Sequence, residues 1–204
     1  FDGERQAEDG WRRLTSFTWE DGPCWRYQAG GVQAVRRFGM EHGANAAAVV
    51  YTVENRSNAP CTLRVTPVFQ FSLKGEARQS QISLRCDGGK IQGEGLTLYV
   101  KSSAGLSAVP QDCEALFYED DRKDGRRESG LGLICTAAEL TVPQGEDGRL
   151  ELVFSTEPSA KTGAEILRDF EARQRALLEN SGFKDPVARE LARSADHFIA
   201  YRPS

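Results

Sequence analysis

Between residues 61 and 71 the chain alternates in character. Cys61, Leu63, Val65, Pro67, Phe69 and Phe71 hold the odd positions, while Thr62, Arg64, Thr66 and Gln70 hold most of the even ones. A strand sends successive side chains to opposite faces, so a period of two describes a strand with one buried and one wet face. Ala47, Val49, Tyr51 and Val53 alternate in the same way upstream. The intervening Asn55-Arg56-Ser57-Asn58-Ala59-Pro60 is made of turn formers. This spacing predicts a long hairpin over residues 46–74. Pro67 marks an edge or a bulge in it, because proline cannot donate to a central ladder.

The same period runs through most of the chain. Residues 14–19, 24–28 and 32–40 look extended, as do 80–86, 90–101, 105–109, 113–119, 131–141 and 149–156. Asp87-Gly88-Gly89, Ser102-Ser103-Ala104-Gly105 and Gly145-Glu146-Asp147-Gly148 separate some of these runs. About ten short strands at such spacing predict a mainly β fold, an antiparallel β-sandwich or barrel. No internal repeat or low-complexity tract interrupts the pattern.

After Pro158 the period changes. Thr162-Gly163-Ala164-Glu165 fits a capping box, and Ile166, Leu167, Phe170, Leu177 and Leu178 then follow at helical spacing up to Gly182. Asp185-Pro186 opens a second helix with an N-cap acid and a proline at the first helical position. Its stripe carries Val187, Leu191, Ala195, Phe198 and Ile199, and is expected to pack partly on the sandwich. Residues 1–157 thus read as a β-sandwich domain and 158–204 as a helical appendage.

A length of 204 residues suits one domain with an appendage and is enough to bury a core. The net charge of -4 and the mixed-sign loop Glu119-Asp120-Asp121-Arg122-Lys123-Asp124 argue against a nucleic-acid binder. No apolar run is long enough for a membrane span, and residues 1–10 lack the features of a signal peptide. The five cysteines, Cys24, Cys61, Cys86, Cys113 and Cys135, are odd in number and contain no C-x-x-C pair. That count argues against a zinc site or a disulfide framework, and for a reducing, cytoplasmic compartment. No metal or cofactor is expected. His42 and His197 lie in no catalytic motif.

Trp11, Phe17, Trp19, Trp25 and Tyr27 cluster early in the chain. Flat aromatic rings stack on the apolar C–H face of a sugar, which makes Trp11, Trp25 and Tyr27 the candidate substrate-binding residues. The plainer reading is packing: Phe17 and Trp19 share a strand face, as do Trp25 and Tyr27 on the next strand. Glycoside hydrolysis needs two carboxylates with tuned pKa values. The contiguous acids Glu119, Asp120 and Asp121 lack the burial that would raise one of them, so no catalytic residue is assigned.

Several segments together resemble a known family. They are Leu14-Thr15-Ser16-Phe17; Pro23-Cys24-Trp25-Arg26-Tyr27; Gly43-Ala44-Asn45 leading to Val49-Val50-Tyr51-Thr52-Val53-Glu54-Asn55; and Leu63-Arg64-Val65-Thr66-Pro67. Phe117-Tyr118-Glu119-Asp120-Asp121-Arg122 with Glu128, Glu171-Ala172-Arg173-Gln174-Arg175-Ala176-Leu177 and the run from Leu191 through Asp196 and Phe198 to Arg202 extend the series. In this order they resemble the N-terminal domain of bacterial and archaeal-type glycogen debranching enzymes, the amylo-α-1,6-glucosidases. Phe69-Gln70-Phe71-Ser72 and Glu128-Ser129 depart from that family's pattern.

The resemblance implies a large supersandwich-like β-domain joined by linker helices to an α/α-barrel that carries the catalytic carboxylates. It implies a non-catalytic accessory domain that braces the barrel, with an α-glucan as the parent enzyme's substrate. The barrel itself is absent from these 204 residues. A sheet edge left open would offer a second copy a place to pair as a homodimer. A rival reading is a free-standing carbohydrate-binding module that uses Trp11, Trp25 or Tyr27.

Overall fold

The computed structural model describes residues 10–19, 21–71, 85–93, 95–117, 122–125, 129–196 and 199. A short 3-10 turn, Gly10–Arg13, leads into β1 (Leu14–Trp19), β2 (Pro23–Ala29), β3 (Val32–Met40), β4 (Ala46–Asn55) and β5 (Cys61–Val65). Then come β6 (Arg85–Asp87), β7 (Lys90–Gly93), β8 (Leu96–Ser102), β9 (Ser107–Phe117), β10 (Ser129–Val142) and β11 (Asp147–Ser155). Two helices close the chain, α1 (Gly163–Asn180) and α2 (Pro186–Asp196).

The strands form an eight-stranded sheet in the order β1-β2-β3-β4-β11-β8-β7-β6 and a three-stranded sheet in the order β5-β10-β9. Every pairing is antiparallel. The two sheets face each other across a core. Ile91, Val100, Leu150 and Leu152 come from the large sheet, and Phe69, Leu133, Cys135 and Ala138 from the small sheet and the segment beside it. The architecture is the mainly β, antiparallel sandwich with two C-terminal helices that the alternation predicts.

The alternation misleads in one place. Residues 46–74 are not a hairpin: β4 pairs with β3 and β11 in the large sheet, whereas β5 pairs with β10 in the small one. The turn between β4 and β5 is a corner that carries the chain from one sheet to the other. The chain turns a second corner between β10 and β11, which also lie in different sheets. Asn55, fully buried, ties the two corners together. Its Nδ2 donates to the carbonyls of Ala59 (2.9 Å), Val142 (3.0 Å) and Pro143 (3.1 Å). Its Oδ1 accepts from the backbone N–H and hydroxyl of Ser57 (3.1 and 2.6 Å). Its backbone exchanges hydrogen bonds with Glu146 and Gly145. An alternating sequence specifies a strand but not its partner, and here the buried amide selects a corner.

The cysteine expectation is also overturned. Cys86 of β6 and Cys135 of β10 form a disulfide across the two sheets, with Cα atoms 6.4 Å apart. Their separation of 49 residues hides the pair from any spacing rule. The argument for a reducing compartment, which rested on unpaired cysteines, loses its footing. Cys24 and Cys61 are free.

On the outer face of the large sheet α1 lies over β3, β4 and β11. Ile166 of α1 packs with Ala46, Ala48 and Val153. Gly39 lets the helix settle close, since a Cβ there would lie 3.1 Å from Phe170 Cβ and 3.3 Å from Leu167 Cδ1. The predicted capping box is present: Glu165 N–H donates to Thr162 Oγ1 (3.2 Å) and Thr162 N–H donates to Glu165 Oε2 (2.8 Å). Glu151 of β11 adds a second cap by accepting from Ala164 N–H (2.8 Å). Gly182 follows the helix with φ +70°.

Asp185 caps α2 as predicted, accepting from Ala188 N–H (2.9 Å). The rest of that helix departs from expectation. Val187 and Leu191 are 66% and 65% exposed, so the apolar stripe faces away from the sandwich. An ionic contact joins α2 to α1: Arg173 makes a two-pronged bond to Asp196, with Nε to Oδ2 at 3.2 Å and Nη2 to Oδ1 at 2.5 Å, while Arg193 is the buried residue of α2. Among the described residues no helix is long and apolar enough to cross a membrane.

Candidate functional site

The inter-sheet core draws on β4, β11, β8, β7 and β6 of the large sheet. The three-stranded sheet thus leaves the inner face of β1–β3 beyond its reach. Register places Leu14, Phe17 and Trp19 of β1 on that face, beside Pro23, Trp25 and Tyr27 of β2. Ala34, Arg36, Phe38 and Met40 of β3 continue it. Phe17 is 51% and Trp19 44% exposed, and Leu14 and Met40 are exposed with them. A contiguous exposed aromatic surface of this kind marks a contact or ligand face.

Two of the sequence-nominated residues, Trp25 and Tyr27, sit at its centre. Both are half-buried. The Arg36 guanidinium lies over the Trp25 ring at 4.1 Å and over the Tyr27 ring at 5.9 Å, in cation–π geometry. Phe17 leans on Trp25 with centroids 5.2 Å apart and planes tilted by 45°. Burial pushes the Tyr51 phenol up from its ordinary value, and the hydrogen bond and charge of Arg36 work against that shift. Arg36 therefore organises the patch and occupies a ring face of Trp25 that a sugar would otherwise stack on. Trp11 lies in the 3-10 turn, and its side chain is outside the described residues, as are Glu119, Asp120, Asp121, Glu128, His197 and Phe198.

At the end of the patch nearest the helices the surface dips into a cavity of about 330 Å³. Trp19, Phe38 and Met40 form its sheet side, while Phe170, Arg173 and Gln174 of α1 and Asp196 and Ile199 beyond form its helix side. Glu41 and His42 of the loop after β3 complete the rim. The charges here come paired: Arg173 holds Asp196, and Lys161 holds Glu41 at 2.9 Å. The Lys161 ammonium is pushed up from its ordinary value by its hydrogen bond to Glu41 and then by the one to Asp169. Gln174 is 1% exposed, and its Oε1 has no hydrogen-bond partner among the described residues.

Sequence reasoning passed over Gln174, Phe38, Phe170 and Arg36. A signal for Gln174 was present: Ile166, Phe170 and Gln174 fall at i, i+4 and i+8, which puts an amide on the buried stripe of the helix. Phe38 and Phe170 read only as core until the helix and the strand ends come together. Among the described residues no group of His, Cys, Asp or Glu side chains is arranged to hold a metal ion.

Residues 2–148 match the family described as glycogen debranching enzyme N terminal, well over half of the chain. The chain belongs to that family. The matched region ends within β11, before both helices. No curated protein matches the chain. Two of the solved structures it is similar to are at low identity. One, described as a kojibiose phosphorylase from human microbiome, has 10% identity and a TM-score of 0.39, with 86% of this chain and 23% of that chain covered. The other, a bacterial glucoamylase complexed with acarbose, has 12% identity and a TM-score of 0.40, with 91% of this chain and 29% of that chain covered. The chain thus spans less than a third of either protein, and likeness at this level does not bear on what it does.

Proposed function

We propose that this chain is the non-catalytic N-terminal domain of an α-glucan debranching enzyme, and that it braces a downstream catalytic α/α-barrel through α2. The observation that carries the reading is the helix itself, taken with the family match. Val187 and Leu191 project an apolar stripe away from the sandwich, while Arg173 and Asp196 fix the helix in that pose. An amphipathic helix is stabilised chiefly by burying its apolar face, and a helix held by its polar side leaves that face for another body. Residues 158–204 then form a linker unit distinct from the sandwich of residues 1–157, and the carboxylates that cleave α-1,6 branches belong to the barrel. Pairing of a second copy along the outer strand β1 fits the same arrangement.

The test is a double substitution, Val187→Ser with Leu191→Ser, in the complete protein. It should lower the stability of the domain junction by about 2 kcal/mol or more, because burying a Leu or Val side chain contributes roughly 1.5–3 kcal/mol. Calorimetry and activity on a limit dextrin both unchanged by it would overturn the bracing role.

The aromatic patch supports a second reading, a free-standing carbohydrate-binding module. It predicts that the 204-residue chain is retarded in an affinity gel containing glycogen, and that Trp25→Ala and Tyr27→Ala weaken the retardation. Free migration of the wild-type chain would exclude it.

A further inference from the structure

We propose that β1 is the contact strand of a symmetric dimer, in which two copies of this chain pair antiparallel through residues 16–19 and set Phe17 against its own counterpart. The dimer rests on the pairing along β1 suggested with the bracing role, and gives that pairing a register, an aromatic contact and a charge arrangement.

Four described strands lie at sheet edges: β1 and β6 in the large sheet, β5 and β9 in the small one. An edge strand can template another chain, and proteins blunt it with charge, proline or brevity. Three of the four carry such devices. β6 has three residues, and Arg85 and Asp87 are two of them. β5 has five, with Arg64 exposed on it and bound to Glu139. β9 carries Pro110. β1 reads Leu-Thr-Ser-Phe-Thr-Trp, with neither charge nor proline. Its bulge falls at Thr15, ahead of residues 16–19, which keep a regular register with β2.

The composition of β1 suits a second copy in particular. A two-fold axis sets a strand beside itself, so a charge on it would meet its like, and an uncharged strand escapes that repulsion. The charges stand at its ends instead, with opposite signs: Arg12 and Arg13 before it, Asp21 after it. Antiparallel pairing brings the basic start of each copy toward the acidic end of the other. Arg175 stands 3.6 Å from Asp21 Oδ2, and a carboxylate can accept a second cation at its other oxygen.

The pleat then narrows the register. Two copies that continue one sheet are related by an axis perpendicular to it, so residues opposite one another share a face. Phe17 meets an odd-numbered residue of the other copy. The central register sets Phe17 against Phe17 and Ser16 against Thr18. Phe17 is 51% exposed and leans on Trp25 at 5.2 Å. The dimer extends that contact to four rings in a row, Trp25 and Phe17 of each copy, and cross-strand aromatic pairs of this kind stabilise antiparallel sheets.

The experiment is sedimentation equilibrium of the 204-residue chain from about 1 to about 100 µM, a range that covers weak specific association. A monomer–dimer equilibrium is expected. Phe17→Lys puts two ammonium groups face to face and should weaken dimerisation at least about tenfold, with circular dichroism reporting an intact fold. Arg13→Glu alters an exposed residue ahead of the strand and should weaken it about fivefold, which keeps the test decisive if Phe17→Lys disturbs folding. Val187→Ser with Leu191→Ser should leave it unchanged. A mixture of Ser16→Cys and Thr18→Cys should form disulfide-linked dimers on mild oxidation, and each variant alone far fewer, because opposed Cα atoms in an antiparallel pair stand about 4.5–5.5 Å apart.

A chain that stays monomeric across the range would overturn both the dimer and the β1 pairing it rests on. So would dimerisation that survives Phe17→Lys and Arg13→Glu but is lost in the Val187/Leu191 double variant, which would assign the contact to α2. Crosslinking of Ser16→Cys chiefly with itself would overturn the register and leave the β1 pairing standing. The bracing role is tested separately, by the same double variant in the complete protein.

Discussion

Asn55 shows how much one side chain decides. Its amide closes five hydrogen bonds at the corner where both sheet crossings meet, and three of them reach backbone carbonyls, those of Ala59, Val142 and Pro143. Asn55→Ala should cost about 3 kcal/mol in urea unfolding, because buried carbonyls are left without donors. Asn55→Asp should cost more, since a carboxylate would then face those same carbonyls. The sequence marks residue 55 as a turn former and no more than that, because its partner Val142 lies 87 positions away. The Cys86–Cys135 pair is hidden for the same reason. Composition and local spacing describe neighbours along the chain, while these residues act on neighbours in space. Trp25 and Tyr27 were legible as aromatics sharing one strand face, yet the cation lying over them, Arg36, belongs to the next strand and becomes visible only through register.

Helices and strands were the most readable level. The capping box at Thr162, the N-cap at Asp185 and the extended runs from Leu14 to Met40 stand where local chemistry puts them. What failed was pairing, as in the hairpin that is a corner, and orientation, as in the apolar face of α2. Local pattern fixes the period of a face but not the body that covers it. Two expectations belong here. Hydrogen bonds from Thr162, its backbone N–H first, hold the Glu165 carboxyl below its ordinary value of 4.5. Its stabilising contribution is therefore present above about pH 4.5 and is lost as the pH falls through the lower folded value. Glu165→Gln retains an acceptor for the cap but cannot titrate, so its melting temperature should fall less steeply with acid than that of the wild type. The Val187→Ser/Leu191→Ser variant of the isolated chain should unfold within about 0.5 kcal/mol of wild type, as exposed positions do, in contrast to its effect in the complete protein. A large loss in the isolated chain would mean that the stripe packs on the sandwich after all.

The molecule as a whole is two sheets joined at one end by the Asn55 corner and across the middle by Cys86–Cys135, with α1 roofing the large sheet and α2 projecting its apolar side outward. Closing a loop of 49 residues removes unfolded-state freedom worth about 4 kcal/mol on a chain-entropy estimate. Reduction, or Cys86→Ser with Cys135→Ser, should lower stability by up to that amount in denaturant titrations. The sandwich offers an aromatic patch and a charge-balanced cavity. The most direct measurement is glucose release from a limit dextrin by the purified 204-residue chain, set beside the protein encoded by the complete reading frame. The account predicts no α-1,6-glucosidase activity from the chain alone and activity from the complete protein; hydrolysis by the isolated chain would contradict it.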